Sequence, residues 1–305
     1  MIKFTKMQAL GNDYIYINRF HEQLDGIDIG SLARAMSDRH FGVGSDGIIL
    51  ICPVESGVEA DVRMVMYNAD GTRAEMCGNG VRCVAKYALD RRIVTGRRVV
   101  ANGGGGTAAE QRDIRIQTDR GILTMRATMQ DGVMKSARVD MGAPILEPRK
   151  IPVALPGERC VRTPLLVGQE RYSMSCVSMG NPHAVLFVRS LDAVDVRKLG
   201  PLVERHPLFP NRVNLQVACV QSRTEVTMRT WERGTGITLA CGTGACAVHV
   251  AGVLEGRLDG KTTIHLAGGD LEVEWEESAG GSSEGGGSVF MTGPATDVFS
   301  GEWPA

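Results

Sequence analysis

Apolar and polar residues alternate through most of this chain, as in Asp61-Val62-Arg63-Met64, and the alternating stretches are rich in β-branched residues. A period of two over four to eight residues predicts half-buried strands. On that basis strands are expected at 13–18, 47–52, 61–67, 114–118, 121–127 and 135–141, and again at 173–179, 184–189, 213–220, 224–231, 261–266 and 270–276. Helical spacing is rarer and is read at 29–38, 78–90, 194–205 and 242–255. The last of these, through Ala245-Cys246-Ala247-Val248-His249-Val250-Ala251, is apolar nearly all round and is therefore predicted to be buried. Many strands with one such helix per half predict an α/β (α+β) fold in which a mixed sheet curls around a central helix.

The pattern occurs twice. Cys77-Gly78-Asn79-Gly80 and Cys241-Gly242-Thr243-Gly244 each open a small-residue helix, at an offset of 241 − 77 = 164. Nine residues before each cysteine stand Asn68 and Glu232, so 232 − 68 = 164 as well. Gly11-Asn12 before one strand is echoed by Gly180-Asn181-Pro182-His183 before another, at 181 − 12 = 169. The difference of five residues reads as one loop insertion between homologous halves. Two domains of about 150 residues each, long enough to hold separate cores, fit a chain of 305 residues. The first is read as 1–140 plus 294–305 and the second as 141–293.

Composition narrows the function classes. Thirty-four basic residues against thirty-five acidic ones leave no electrostatic footprint for nucleic acid or an anionic membrane. No stretch approaches the ~18 uninterrupted apolar residues of a spanning helix. A cytoplasmic protein acting on a small molecule is expected. Eight cysteines without a Cys-x-x-Cys pair predict reduced thiols rather than a disulfide scaffold or a zinc site. Cys52, Cys83, Cys219 and Cys246 read as packing residues. The Gly-rich runs at 101–107 and 278–288 read as surface loops with no assigned role.

The chemistry lies at the two helix starts. Unpaired amide N–H groups and the positive end of the helix dipole stabilise anions there, and thiol pKa values can fall from ~8.5 to about 3.5–7.5. A thiolate base near neutral pH is the expectation. Glycines at the second and fourth positions let the backbone approach and bind a carboxylate. A thiol on either side of one carbon is what inversion through a planar carbanion requires. Taken singly, Asn12, Asn68 and Asn181 also read as turn residues, and Glu232-Arg233 as a surface ion pair.

Ala9-Leu10-Gly11-Asn12-Asp13-Tyr14, Glu75-Met76-Cys77-Gly78-Asn79-Gly80-Val81-Arg82-Cys83, Gly180-Asn181-Pro182-His183-Ala184-Val185 and Glu232-Arg233-Gly234 through Ala240-Cys241-Gly242-Thr243-Gly244 resemble diaminopimelate epimerase, from the N-terminus to about Thr292. The resemblance implies two pseudo-symmetric domains with the active site in the cleft between them. It further implies a homodimer and catalysis without pyridoxal phosphate, metal or any other cofactor. The implied activity interconverts LL- and meso-2,6-diaminopimelate on the way to lysine and peptidoglycan. Carried over, Cys77 and Cys241 are the acid/base pair, and the amides of Gly78, Asn79, Gly242 and Thr243 hold the reacting carboxylate. Glu232 binds an ammonium group and Arg233 a carboxylate. Asn12, Asn68, Asn181 and Asn214 complete recognition, while His183 and Glu232 tune the thiols. Two positions depart from the family pattern: Gly47 stands where some members carry a substrate-contacting glutamine, and Ile237 precedes Thr238 where many have glutamate. Two other readings use the same residues. One is racemisation of proline or hydroxyproline by the same two thiols; the other is a redox switch in which Cys77 and Cys241 pair as a disulfide.

Overall fold

The structure is a computed structural model that describes residues 1–75, 77–99, 110–276 and 286–304. The Gly-rich run at 101–107 and the greater part of that at 278–288 lie outside the described residues. The chain divides into two compact units, Met1–Val139 with Gly293–Ala305, and Asp140–Thr292.

In the first unit the strands follow in the order Thr296–Trp303, Ile2–Ala9, Asn12–Asn18, Gly47–Cys52, Val62–Asn68, Glu110–Thr118, Gly121–Gln130 and Val133–Asp140. Two neighbouring pairs are parallel, Asn12–Asn18 with Gly47–Cys52 and Val62–Asn68 with Glu110–Thr118. In the second unit the order is Thr163–Val167, Glu170–Ser178, Pro182–Phe187, Asn214–Ser222, Glu225–Glu232, Lys261–Leu266, Gly269–Trp275 and Val289–Pro294. Its parallel pairs fall at the same two places. Each unit also adds a short strand, Arg73–Ala74 or Gly236–Thr238, just before its cysteine.

The register repeats with the order. Ile15 opposite Ile48 sets Tyr14 level with Gly47, just as His183 lies opposite Asn214. Gly47 pairs with Asn68, and Leu215 opposite Trp231 sets Asn214 level with Glu232. The offsets along this path are 183 − 14 = 169, 214 − 47 = 167 and 232 − 68 = 164, so the shift of five is two length changes and not one insertion. One falls between the parallel strands. The other is in the hairpin, where the long connection from Cys52 to Val62 is replaced by a tight turn between Ser222 and Glu225.

Strands buried on both faces carry two helical layers, which is why they read as near-continuous apolar runs. Ile15, Ile17, Ile48, Leu50 and Val65 pack against Leu32, Ala33 and Met36 of the helix Ile29–Ser37. The alternate residues of those strands face the central helix Gly78–Asp90, where the Tyr16 hydroxyl donates to Gly80 O at 3.2 Å. In the second unit Ala184, Leu186, Leu215 and Val217 meet Val196, Leu199 and Val203 of the helix Val196–Glu204. His183 and Gln216 take the inward positions, level with the buried central helix Gly242–Leu254.

The N-terminal strand Ile2–Ala9 and its partner Thr296–Trp303 were not expected. Thr296–Phe299 is exposed throughout, so its pairing with the first strand leaves no buried face to read as alternation. Cys52 and Cys219 are half-buried rather than core residues, whereas Cys83 and Cys246 are buried, and all eight cysteines are free thiols. Among the described residues no helix is long and apolar enough to cross a membrane.

Candidate active site

Cys77 and Cys241 are the N-cap residues of the two central helices, in closely matching extended conformations (φ −133°, ψ 120° and φ −128°, ψ 106°). The cap position sets each sulfur beside the unpaired amides of the first turn. Gly80 N–H donates to Cys77 Sγ at 3.4 Å, so the thiol caps its own helix. The Cys77 thiol in turn donates to Asn12 Oδ1 at 3.3 Å. Cys241 makes no such cap, and its sulfur lies 3.5 Å from Thr243 Oγ1.

The expected depression of the thiol pKa is not what these surroundings produce. Burial outweighs the helix terminus in both units and pushes both thiols up. The opposing contributions differ between the two. At Cys77 the amides of Gly80 and Asn79, the Arg82 guanidinium and the Tyr14 hydroxyl all favour the thiolate. At Cys241 the neighbouring Glu232 carboxylate adds to the penalty, and only Thr243 and the Gly244 amide oppose it. Both groups are therefore held as thiols, with more contacts favouring the anion at Cys77 than at Cys241.

The fourth-position glycines are closely approached. A Cβ at Gly80 would lie 2.7 Å from Ile49 Cδ1, and one at Gly244 would lie 2.6 Å from Gln216 Nε2. Ile49 and Gln216 are equivalent in the repeat, since 216 − 49 = 167. Behind Gln216 runs a buried polar chain. Thr230 Oγ1 donates to Gln216 Oε1 at 2.7 Å, and Gln216 Nε2 donates to His183 Nδ1 at 3.1 Å. That leaves the proton on His183 Nε2, which reaches Asn181 Oδ1 at 3.0 Å. The ring is fully buried and its pKa falls to about 3, through desolvation and then the Arg233 charge. His183 is a neutral hydrogen-bonding link and carries no charge near neutral pH.

Glu232 accepts from Thr238 Oγ1 at 2.5 Å. Arg233 donates its backbone N–H to Asn214 Oδ1 at 2.8 Å and a guanidinium N–H to Asn211 O at 2.9 Å. Asn214 is buried and gives its amide to Pro182 O at 2.8 Å, so its side chain ties the Glu232-Arg233 turn to the adjoining strand. The same turn is held from helix Val196–Glu204, where Glu204 accepts from Trp231 Nε1 at 2.7 Å and from Gly234 N–H at 3.3 Å. In the first unit Asn68 donates to Thr72 Oγ1 at 3.0 Å. Gly47 has φ +153°, and a Cβ there would meet Tyr67 O at 2.1 Å, so this backbone has no room for a side chain at that position. Ile237 is exposed. Among the described residues no three His, Cys, Asp or Glu side chains group as metal ligands.

Sequence reading missed Tyr14, Asp46, Arg82, Glu204, Gln216 and Thr230. Gln216 carried a usable signal, being polar within the buried apolar run Leu215–Ala218. Arg82, fully buried in the central helix, was another.

Residues 4–147 and 175–298 match the family described as diaminopimelate epimerase. The chain belongs to that family. A diaminopimelate epimerase from Acetivibrio thermocellus is 48% identical over 301 residues, covering 99% of this chain and 98% of that protein. One from Methanococcus maripaludis is 41% identical, covering 99% of each. Among solved structures, a probable proline racemase from Agrobacterium radiobacter superposes with a TM-score of 0.67 at 14% identity, covering 100% of this chain and 93% of that one. A phenazine biosynthesis protein of the PhzF family from Bacillus anthracis gives 0.67 at 14% identity, covering 100% and 99%. At that identity these two likenesses establish the fold alone.

Proposed function

We propose that this protein is an isomerase that interconverts LL- and meso-2,6-diaminopimelate without a cofactor, with Cys77 and Cys241 as alternating base and acid. The observation that carries the reading is family membership over nearly the whole chain, and the matched placement of two N-cap cysteines supports the two-thiol chemistry. The residues named from the family pattern act in a definite order. Cys77 is the readier of the two to ionise, because Arg82, Tyr14 and two first-turn amides favour its anion. Cys241 stays protonated beside Glu232 until a substrate ammonium group neutralises that carboxylate. One thiolate then removes the α-proton while the other thiol returns a proton to the opposite face, and the roles exchange in reverse.

As the carbanion forms, charge moves onto the α-carboxylate, where the amides of Gly78, Asn79, Gly242 and Thr243 receive it. Arg233, still holding donors beyond its bond to Asn211 O, is suited to the distal carboxylate with Asn12, Asn68 and Asn181 around it. Asn214 acts through the turn it anchors. A homodimer in the cytoplasm completes the reading. The test is incubation of the reduced protein with LL-diaminopimelate in D2O without added cofactor, with L-proline in parallel. Deuterium at the α-carbon and appearance of the meso isomer are expected for diaminopimelate only. Absence of exchange in folded protein rejects the function, and exchange with proline alone transfers it to the racemase reading.

A further inference from the structure

Asn12 Nδ2 donates to Asp46 Oδ2 at 2.6 Å, and this fixes which end of the amide faces the thiol. A carboxylate accepts and cannot donate, so the Asn12 NH2 must turn toward Asp46 and its carbonyl toward Cys77. Asp46 is itself held by two further donors. Its Oδ2 also accepts from Asp13 N–H at 3.1 Å and its Oδ1 from Arg39 Nη2 at 2.9 Å, while Arg39 reaches Asp13 Oδ1 at 2.7 Å. The second unit lacks this carboxylate, since the equivalent position is Val213, and Asn181 is oriented by His183 instead.

We propose that Asp46 is a positioning residue that locks the Asn12 carbonyl onto the Cys77 thiol and so holds Cys77 protonated until substrate enters. The proposal rests on the reading of Cys77 as an acid/base group. With Asp46 gone, Asn12 is free to turn its NH2 to the sulfur, where it stabilises the thiolate.

The experiment is peptide-resolved iodoacetamide labelling of Cys77 in the intact protein between pH 6 and 10. Asp46→Ala is expected to lower the labelling midpoint by about one pH unit, the size of one charged hydrogen bond in a partly exposed site. Asp46→Asn removes the charge but keeps an oxygen for Asn12, so its midpoint stays near that of the wild type. In an Asn12→Ala background Asp46→Ala has nothing to act through and adds no further shift. The proposal is overturned by an unshifted Asp46→Ala, by Asp46→Asn shifting as far as Asp46→Ala, or by an equal shift in the Asn12→Ala background. Should Asp46→Ala not fold, Asp46→Ser, too short to reach Asn12, replaces it with the same three outcomes. Labelling needs no turnover. Failure of the epimerase reading in the D2O test is therefore distinguishable from failure of this one.

Discussion

Replacing Gly244 by alanine sends a methyl group into Gln216, with Nε2, Cδ and Oε1 at 2.6, 2.8 and 3.0 Å from the new carbon. Gln216 has no exposed surface and no slack, because one end of its amide accepts from Thr230 and the other donates to His183. Overpacking of this kind costs about 1–3 kcal/mol. Breaking the chain leaves buried polar atoms unpaired at about 1–3 kcal/mol. The helical preference for alanine over glycine returns roughly 0.5–1 kcal/mol. A net loss of about 1–5 kcal/mol follows from these. At the equivalent Gly80 the obstacle is the terminal methyl of Ile49, which can swing aside, so Gly80→Ala should cost no more than about 1 kcal/mol after the same helical gain. Urea unfolding followed by tryptophan fluorescence, with Trp303 reporting from the first unit and Trp231 and Trp275 from the second, measures both. In a Gln216→Ala background the Gly244→Ala penalty should shrink sharply, since the collision partner is gone. Equal losses at the two glycines, or an undiminished penalty in that background, would refute the account.

Acid should destabilise the second unit early. His183 and His249 are fully buried, with pKa values lowered to about 3 and about 4, so the unfolded chain binds their protons first and stability falls as pH drops below about 6.5. Between pH 7 and pH 5 each accounts for roughly 2 kcal/mol. Among the described residues neither ring nitrogen of His249 has a partner at hydrogen-bond geometry, and only the Gly260 backbone and the Glu274 carboxylate favour its charged form, so His249→Leu should flatten about half of that dependence with little loss at neutral pH; a slope unchanged from wild type contradicts it. Cys77→Ala and Cys241→Ala should each abolish net interconversion, and the double variant should be no worse than either single one, as for groups that act as a unit. Near-normal turnover by either single variant eliminates the two-base assignment. Arg233→Lys should lower kcat/KM roughly tenfold to over a hundredfold if the guanidinium makes a forked contact in the transition state. Unimpaired turnover of diaminopimelate by the variant would remove the distal role.

The strand Lys261–Leu266 lies where the alternation placed it because one face is buried, and Gly47–Cys52 and the helix Gly78–Asp90, buried along nearly their whole length, lie where the bounded apolar runs placed them. Thr296–Trp303 escaped because it has no such face. The cysteines and their glycines were legible through the offset of 164, which holds from the strands Val62–Asn68 and Glu225–Glu232 into the two central helices. What surrounds the thiols was not. Asp46 meets Asn12 from a distant part of the chain, and the proton on His183 is settled by Gln216, on a neighbouring parallel strand. Whether burial or the helix terminus sets a thiol's pKa depends on such neighbours, and spacing along a sequence does not report them.

The two units keep one ladder register while differing at the inward positions against each central helix, with Tyr14 for His183, Ile49 for Gln216 and Met66 for Thr230. Length changes are confined to the connections, so the backbone that presents each cysteine is inherited intact and its chemistry is written by a handful of exchangeable side chains. Such a scaffold is open to grafting: the polar trio of one half has matching ladder positions in the other, reached without rebuilding a loop.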